Sequence, residues 1–321
     1  MQQRHENRKT YFQELATTSE LHFLPYIHRF TSVTPQSRIL EIGCGEGGNL
    51  VPFARIGCRV TGIDLSENRI RQARQFFQEE RLPATFIASD IFQIIQLEEA
   101  FDIILIHDVI EHISEKYRLL EHIKRFLTPG GLLFISFPPW QMPFGGHQQI
   151  CRNKYVSRLP FIHLLPAGIY SSLLHHFGES QTRIDELLDI RECRTSIELF
   201  EKLLCTSHYR IFHKQFWFIN PHYEQKFHLK PRKLPRLIGS IPHLRNFFCT
   251  SCFYLGIGIP LLQRFQMAVS RIPAVCPYVL PVPSTVCVSF SVQSFPLSRM
   301  ARKPVPVHDA ILLPFQSAWP E

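Results

Sequence analysis

The 321-residue chain has no internal repeat, no paired-cysteine framework and, in its last third, almost no acidic residues. Its opening, MQQRHENRKTYFQEL, is polar and charged, so the sequence is read as lacking a secretory leader. Nine cysteines are scattered without a framework, which fits reduced thiols in a cytoplasmic compartment. Cys249-Thr-Ser-Cys252 is a lone CxxC; a zinc site needs more ligands at suitable spacing, so this pair reads as buried or free thiols. Residues 207–321 hold 3 Asp/Glu against 13 Lys/Arg, whereas residues 1–206 hold 24 against 22. That imbalance fits an anionic partner or simply a solvated basic surface. Hydrophobic content of 45% and charged content of 19% exclude a disordered or fibrous chain.

From about Gly256 the chain carries ten prolines and no sustained helix or strand period, so residues 256–321 read as a Pro-rich, poorly ordered tail. Asn246–Gln263 runs 18 residues without charge, just long enough for a membrane-spanning candidate, but Gly256, Gly258 and Pro260 weaken a helix. Reversible contact of Lys230–Arg245 with an anionic membrane surface is the better membrane reading.

What is present in the first two-thirds is alternation. Residues 1–34 read as an N-terminal helical segment. Short apolar strands at 37–43, 58–65, 84–90, 101–108 and 131–137 then alternate with helical periods at 49–57, 67–80 and 114–127. Such alternation predicts an α/β fold, a parallel sheet with helices on both faces. A helix at 195–205 and a strand at 209–220 complete a domain over 35–220, with an insertion at 138–190 and a basic extension at 221–255.

LEIGCGEGGNL, from Leu40 to Leu50, places Gly43, Gly45 and Gly48 between a strand and a helix. Small residues there let a ligand approach backbone amides at a helix N-terminus. The spacing also satisfies the dinucleotide fingerprint, and Asp64, ending the second strand, suits ribose hydroxyls in either case. Glu41 and the later segments must discriminate.

Five segments together resemble the class I S-adenosylmethionine-dependent methyltransferases: Glu41 to Gly47, Asp64-Leu65-Ser66, Ala88-Ser89-Asp90, Phe101-Asp102 through Glu111-His112, and Leu127 to Gly131. The resemblance implies a Rossmann-like seven-stranded sheet and S-adenosyl-L-methionine as cofactor. It implies that Gly43 and Gly45 line the methionine and ribose portion, with Glu41 fixing the loop and the amino acid end. Asp64 would hold the ribose hydroxyls beside Leu65, Asp90 and Ile91 would contact the adenine, and His107 with Asp108 would border the methionine. Asp102 is read as structural. Beyond the fifth strand the likeness is to quinone-type and sugar-type bacterial methyltransferases.

The loop FPPWQMPFGGHQQ, Phe137–Gln149, leaves the fifth strand at the carboxyl edge where ligands of open sheets sit. It reads as a wall of the acceptor pocket. Methyl transfer to a hydroxyl needs in-line placement and removal of a proton, which histidine performs near neutral pH. His112 and His147 are therefore the catalytic candidates. No metal is assigned. Asp108-x-x-Glu111-His112, with His147 from the facing loop, is the one cluster whose donors suit a first-row ion, the alternative being a hydrogen-bonded His112 at a helix start. His22, His28, His122, His163, His175 and His176 read as structural or exposed.

The function these observations favour is methyl transfer to a small-molecule or biosynthetic acceptor, at a hydroxyl. No NPPY-type tetrapeptide follows the fourth strand, and no specific nucleic acid partner is expected. The alternatives are an NAD-dependent oxidoreductase, which leaves Glu41 and the Glu-His segment unexplained, and a membrane-associated non-catalytic module.

Overall fold

A computed structural model describes residues 7–97 and 100–258. The strands are β1 (Arg38–Ile42), β2 (Arg59–Asp64), β3 (Thr85–Ala88), β4 (Phe101–His107), β5 (Leu127–Phe137), β6 (Tyr209–Ile219), β7 (Arg232–Lys233) and β8 (Ser251–Gly258). They form one sheet in the order β3-β2-β1-β4-β5-β8-β6-β7. β1 to β5 are mutually parallel, and β8 runs antiparallel to both β5 and β6. The expected strand count was seven; the eighth is the two-residue β7 at the edge.

Successive side chains of a strand point to opposite faces, so a sheet covered on both sides reads as a continuous apolar run. β1 and β5 show this directly. Ile39 and Phe134 enter one apolar layer, with Phe23, Tyr26, Phe53 and Phe253. Leu40, Leu133 and Ile135 enter the other, with Ile104, Phe200 and Tyr254. The helix Glu67–Glu79 starts where Ser66 Oγ accepts from Arg69 N, and it buries Ile70, Ala73, Phe76 and Phe77. The helix Val51–Ile56 carries Pro52 in its first turn, where a missing N–H costs nothing, and ends on Gly57 at φ +98°.

Two segments expected to lie outside the domain are part of its core. The N-terminal segment, with helices Arg8–Thr18 and Leu24–His28, sends Phe23 and Tyr26 against Phe134 and Phe253. The stretch after 220 contributes β8, so a boundary at 220 would cut the sheet between its fifth and sixth strands in space. The physical reason is that β8 pairs with strands distant in sequence. Phe137 sits opposite Cys252 and Leu132 opposite Ile257.

β8 also corrects the spanning candidate. Asn246–Gln263 is helix to Phe248 and strand from Ser251 to Gly258. Among the described residues no helix is long and apolar enough to cross a membrane. Cys249 and Cys252 are buried free thiols. The basic stretch divides: Lys230, Arg232, Lys233 and Arg236 are exposed. Arg245 is not available to a surface, being buried in ion pairs with Glu198 and Glu201 at 2.9 and 3.0 Å. The Pro-rich tail lies, beyond Gly258, outside the described residues.

The insertion at 138–190 is a small, largely helical segment with its own core. Tyr170 and Leu174 of the helix Ala167–His176 pack on Ile184 and Leu187 of the helix Gln181–Glu192.

If β8 is integral to the fold, Phe253→Ala should cost about 3–5 kcal/mol, as expected when a fully buried aromatic leaves a cavity. Chemical denaturation checks this, and a loss under about 1 kcal/mol would place residues 251–258 outside the cooperative unit.

Candidate active site

Three segments leave the carboxyl ends of β1, β2 and β4 and meet above the sheet. The first is the glycine turn. Gly43 N and Cys44 N both donate to Ile63 O, at 2.7 and 3.0 Å, so the turn is tied to β2. Gly43 (φ +70°) admits no side chain, because a Cβ there would lie 2.3 Å from Cγ2 of Val109, in the turn after β4. Gly45 (φ +52°) faces open space, and a Cβ there would meet nothing within 4 Å. One glycine allows two loops to touch; the other leaves backbone accessible to a ligand.

Asp64, at the end of β2, joins two of these loops. Its Oδ2 accepts from Gly45 N and its Oδ1 from Ser66 N, both at 2.9 Å. A carboxylate has about four lone-pair sites, so roughly two remain for a ligand's hydroxyls. Leu65 follows, 69% exposed beside that edge. Glu41 is fully buried beneath the turn. Asn49 Nδ2 donates to its Oε1 at 2.7 Å, while its Oε2 has no hydrogen-bond partner among the described residues. Burial pushes its carboxyl up to about 8; the Asn49 hydrogen bond opposes this and the field of Asp64 adds to it. A buried, half-partnered carboxyl beside an open backbone is suited to a cationic group of a ligand.

Asp90 and Ile91 already perform structural tasks. Asp90 Oδ1 accepts from Phe92 N at 2.9 Å, capping the short turn Ile91–Gln93. Ile91 is buried in the apolar layer, and His122 Nε2 meets its carbonyl at 2.7 Å. Asp102 lies at the opposite edge of the sheet, bound to Arg38 N at 2.8 Å and to the Arg38 guanidinium. Its carboxyl is desolvated, yet those bonds hold it below the usual range.

After β4 the chain makes a strained turn. His107 Nδ1 lies 2.9 Å from Ser136 Oγ, and its ring packs 4.9 Å from Phe23. Asp108 adopts a left-handed backbone (φ +52°) and sits 3.5 Å from His107 Nε2. The turn Ile110–His112 then buries Glu111, whose two carboxylate oxygens have no hydrogen-bond partner among the described residues. Burial raises its carboxyl well above the usual range, and Asp108 adds to that. His112 keeps 29% of its side chain accessible and meets His147 edge to face, ring centroids 4.9 Å apart. The two catalytic candidates are thus adjacent although 35 positions separate them in sequence.

The loop after β5 positions His147 through its aromatics. Trp140 N donates to Thr195 O at 2.9 Å, and His163 Nε2 meets Trp140 O at 2.7 Å across an edge-to-face contact. Trp140 is buried, so it anchors the loop. The chain ends this segment at His147 in a left-handed conformation (φ +55°), a second strained residue at one edge.

Sequence reasoning missed two tyrosines. Tyr11 comes from the N-terminal helix and Tyr223 from the helix His222–Phe227 after β6. Burial raises both hydroxyls, Tyr223 to about 12, and in each the field of the Asp108 carboxylate adds to the rise. No motif surrounds either residue, so nothing local could have marked them.

Residues 40–135 match the family model described as a methyltransferase domain. A ubiquinone biosynthesis O-methyltransferase of Maricaulis maris is 38% identical over 100 residues, 31% of this chain and 39% of that protein. One of Coxiella burnetii is 32% identical over 98 residues, 30% of this chain and 42% of that protein. The chain therefore aligns with about two-fifths of the length of these relatives. A candidate sarcosine dimethylglycine methyltransferase from Galdieria sulphuraria superposes with a TM-score of 0.50 at 13% identity, covering 74% of this chain and 84% of that one; the likeness is of fold alone.

Burial lowers His112 to about 4 and His147 to about 3, His112 adding to the effect on His147 and Asp108 opposing it. Unfolded imidazoles bind protons near pH 6.5 while the folded ones do not until well below it, so unfolding takes up protons between those values and stability falls as pH drops through that window. In metal-free buffer, the melting temperature of the protein should fall more steeply from about pH 6.5 to pH 4 than that of the His112→Asn/His147→Asn double variant. Parallel profiles would show that neither ring is held neutral.

Proposed function

Residues 40–135 match a methyltransferase domain, and we propose that this chain transfers the methyl group of S-adenosyl-L-methionine to a hydroxyl of a small-molecule acceptor. The observation that carries the reading is the juxtaposition, at one carboxyl edge, of an open glycine turn and two neutral imidazoles.

The residues present fit the cofactor. Glu41 supplies a buried oxygen without a partner, Gly45 an uncovered backbone, and Asp64 the lone pairs left after binding Gly45 N and Ser66 N. Gly43 and Gly45 would border its methionine and ribose, Glu41 its amino acid end, and Asp64 with Leu65 its ribose and adenine side. Asp90 and Ile91 would reach the adenine from the turn they form, and His107 with Asp108 would border the methionine. The bound cofactor supplies an electrophilic methyl on a cationic sulfur, which leaves as a neutral thioether.

The chain's part is placement and proton removal. The loop anchored by Trp140 and His163 brings His147 beside His112. Both rings are unprotonated at neutral pH, the state a base requires, although their depressed affinity limits the driving force. The Asp108 carboxylate opposes that depression at His147. The acceptor oxygen would take that methyl, and its hydroxyl proton would pass to the imidazole of His147 or His112. The named relatives are O-methyltransferases, which supports oxygen as the acceptor atom.

Incubation with methyl-labelled S-adenosylmethionine and a panel of hydroxylated aromatic and alicyclic acceptors tests this. Label should appear in an ether, and His147→Ala should lower kcat by about 10²–10⁴ with little change in cofactor affinity. Label found only on nitrogen or carbon, or turnover intact in the His112→Ala/His147→Ala variant, would overturn the reading.

A further inference from the structure

Outside the site, one stretch of surface has a composition of its own. Residues 225–258 hold no Asp or Glu, and Lys230, Arg232, Lys233 and Arg236 within them are exposed. Large apolar side chains stand beside these cations. Leu237 is 77% exposed, and Ile241, Leu244, Phe247 and Phe248 are exposed as well. Apolar residues scattered singly over a surface are ordinary, but a run of them among cations of one sign marks a contact surface.

The buried members of the segment hold the others outward. Leu234 is buried, and its N donates to Phe216 O at 2.9 Å beside β7, which pairs with β6. Arg245 is tied to Glu198 and Glu201, and Asn246 Oδ1 accepts from Ile197 N at 2.8 Å. With these three turned inward, the short helices Arg236–Gly239 and Leu244–Phe248 present Leu237, Leu244, Phe247 and Phe248 to solvent. The ring of Phe247 stands 6.3 Å from that of Phe161, whose N donates to Pro143 O at 2.7 Å. The face is therefore continuous with the loop that carries His147.

We propose that the face formed by residues 230–248 docks on an anionic lipid bilayer, with its cations over the headgroup phosphates and its leucines and phenylalanines entering the interface. Lys and Arg set among large apolar side chains, with no acid between them, suit that environment on both counts. A second copy of this chain suits it less, because a two-fold contact would set the same cations against one another. Contacts between proteins are depleted in lysine, which favours lipid over a protein partner. The contact is peripheral, since among the described residues no helix is long and apolar enough to cross a membrane. The docking stands on these surface residues and does not depend on the methyl-transfer reading.

The full chain is sedimented with vesicles of phosphatidylcholine alone and of phosphatidylcholine mixed with phosphatidylglycerol, over a salt series. It should bind the mixed vesicles and leave the neutral ones. Each cation at an anionic surface changes affinity about fivefold, so Lys230→Gln/Arg232→Gln/Lys233→Gln should weaken binding roughly a hundredfold. Leu237→Ser/Leu244→Ser should weaken it by about tenfold or more, leaving a remnant that salt removes. Arg59→Gln/Arg71→Gln/Arg81→Gln, which takes the same charge from exposed positions elsewhere, should change it less than about threefold. Every substituted side chain is exposed, and circular dichroism checks that the variants are folded. No binding to the mixed vesicles, or equal loss in the two charge variants, would overturn the docking face. Binding indifferent to the leucine pair would overturn it too, since net charge alone would then explain it. Binding to polyglutamate as tight as to the mixed vesicles, and equally weakened by the leucine pair, would assign the face to an acidic protein and overturn the bilayer.

Discussion

The carboxyl edge of this sheet depends on how closely the turn after β4 approaches Gly43. With a Cβ at Gly43 only 2.3 Å from Val109, any side chain there would push the two loops apart. The same turn carries Asp108, Glu111 and His112, so the missing side chain sets the distance between the glycine turn and those three residues. Asp64 fixes the other flank by binding Gly45 N and Ser66 N together. The proposed methyl transfer demands in-line placement over a fraction of an ångström, and two short backbone constraints would provide that better than long side chains.

The rest of the molecule holds this edge in place from behind. β8 runs backward between β5 and β6, so the strand that launches the loop carrying His147 is paired on both sides. Phe253 on one face and Tyr254 on the other lock it into both apolar layers. The N-terminal helix closes the glycine turn from above, where Gly48 admits Phe12 O and Leu15 because it carries no Cβ. That helix and the one following β6 each carry a tyrosine that feels the Asp108 carboxylate.

Legibility in the sequence followed locality. β1 to β5, their helices and the glycine turn were readable because each is a short apolar run or periodic segment bounded by its own turn residues. Glu41, Asp64 and the Glu-His segment were readable because they stand at fixed offsets from strand ends. β8 was not, since a strand buried on both faces has no alternation, and Ser251–Gly258 merges with the uncharged run around it. Trp140 and the paired glycines of its loop read as a pocket wall; tertiary contacts with His163 and Thr195 make them an anchor. The adjacency of His112 and His147 was guessed from the sheet edge, but the unpartnered carboxyl of Glu111 between them appears only once burial is known.

The most direct measurement is a calorimetric titration of the protein with S-adenosylhomocysteine, beside NAD and beside an Asp64→Ala variant. Micromolar, single-site binding of the homocysteine compound, weakened at least tenfold in the variant and absent for NAD, is the predicted result. Binding of NAD in its place, or no binding of either by the folded protein, would contradict the account.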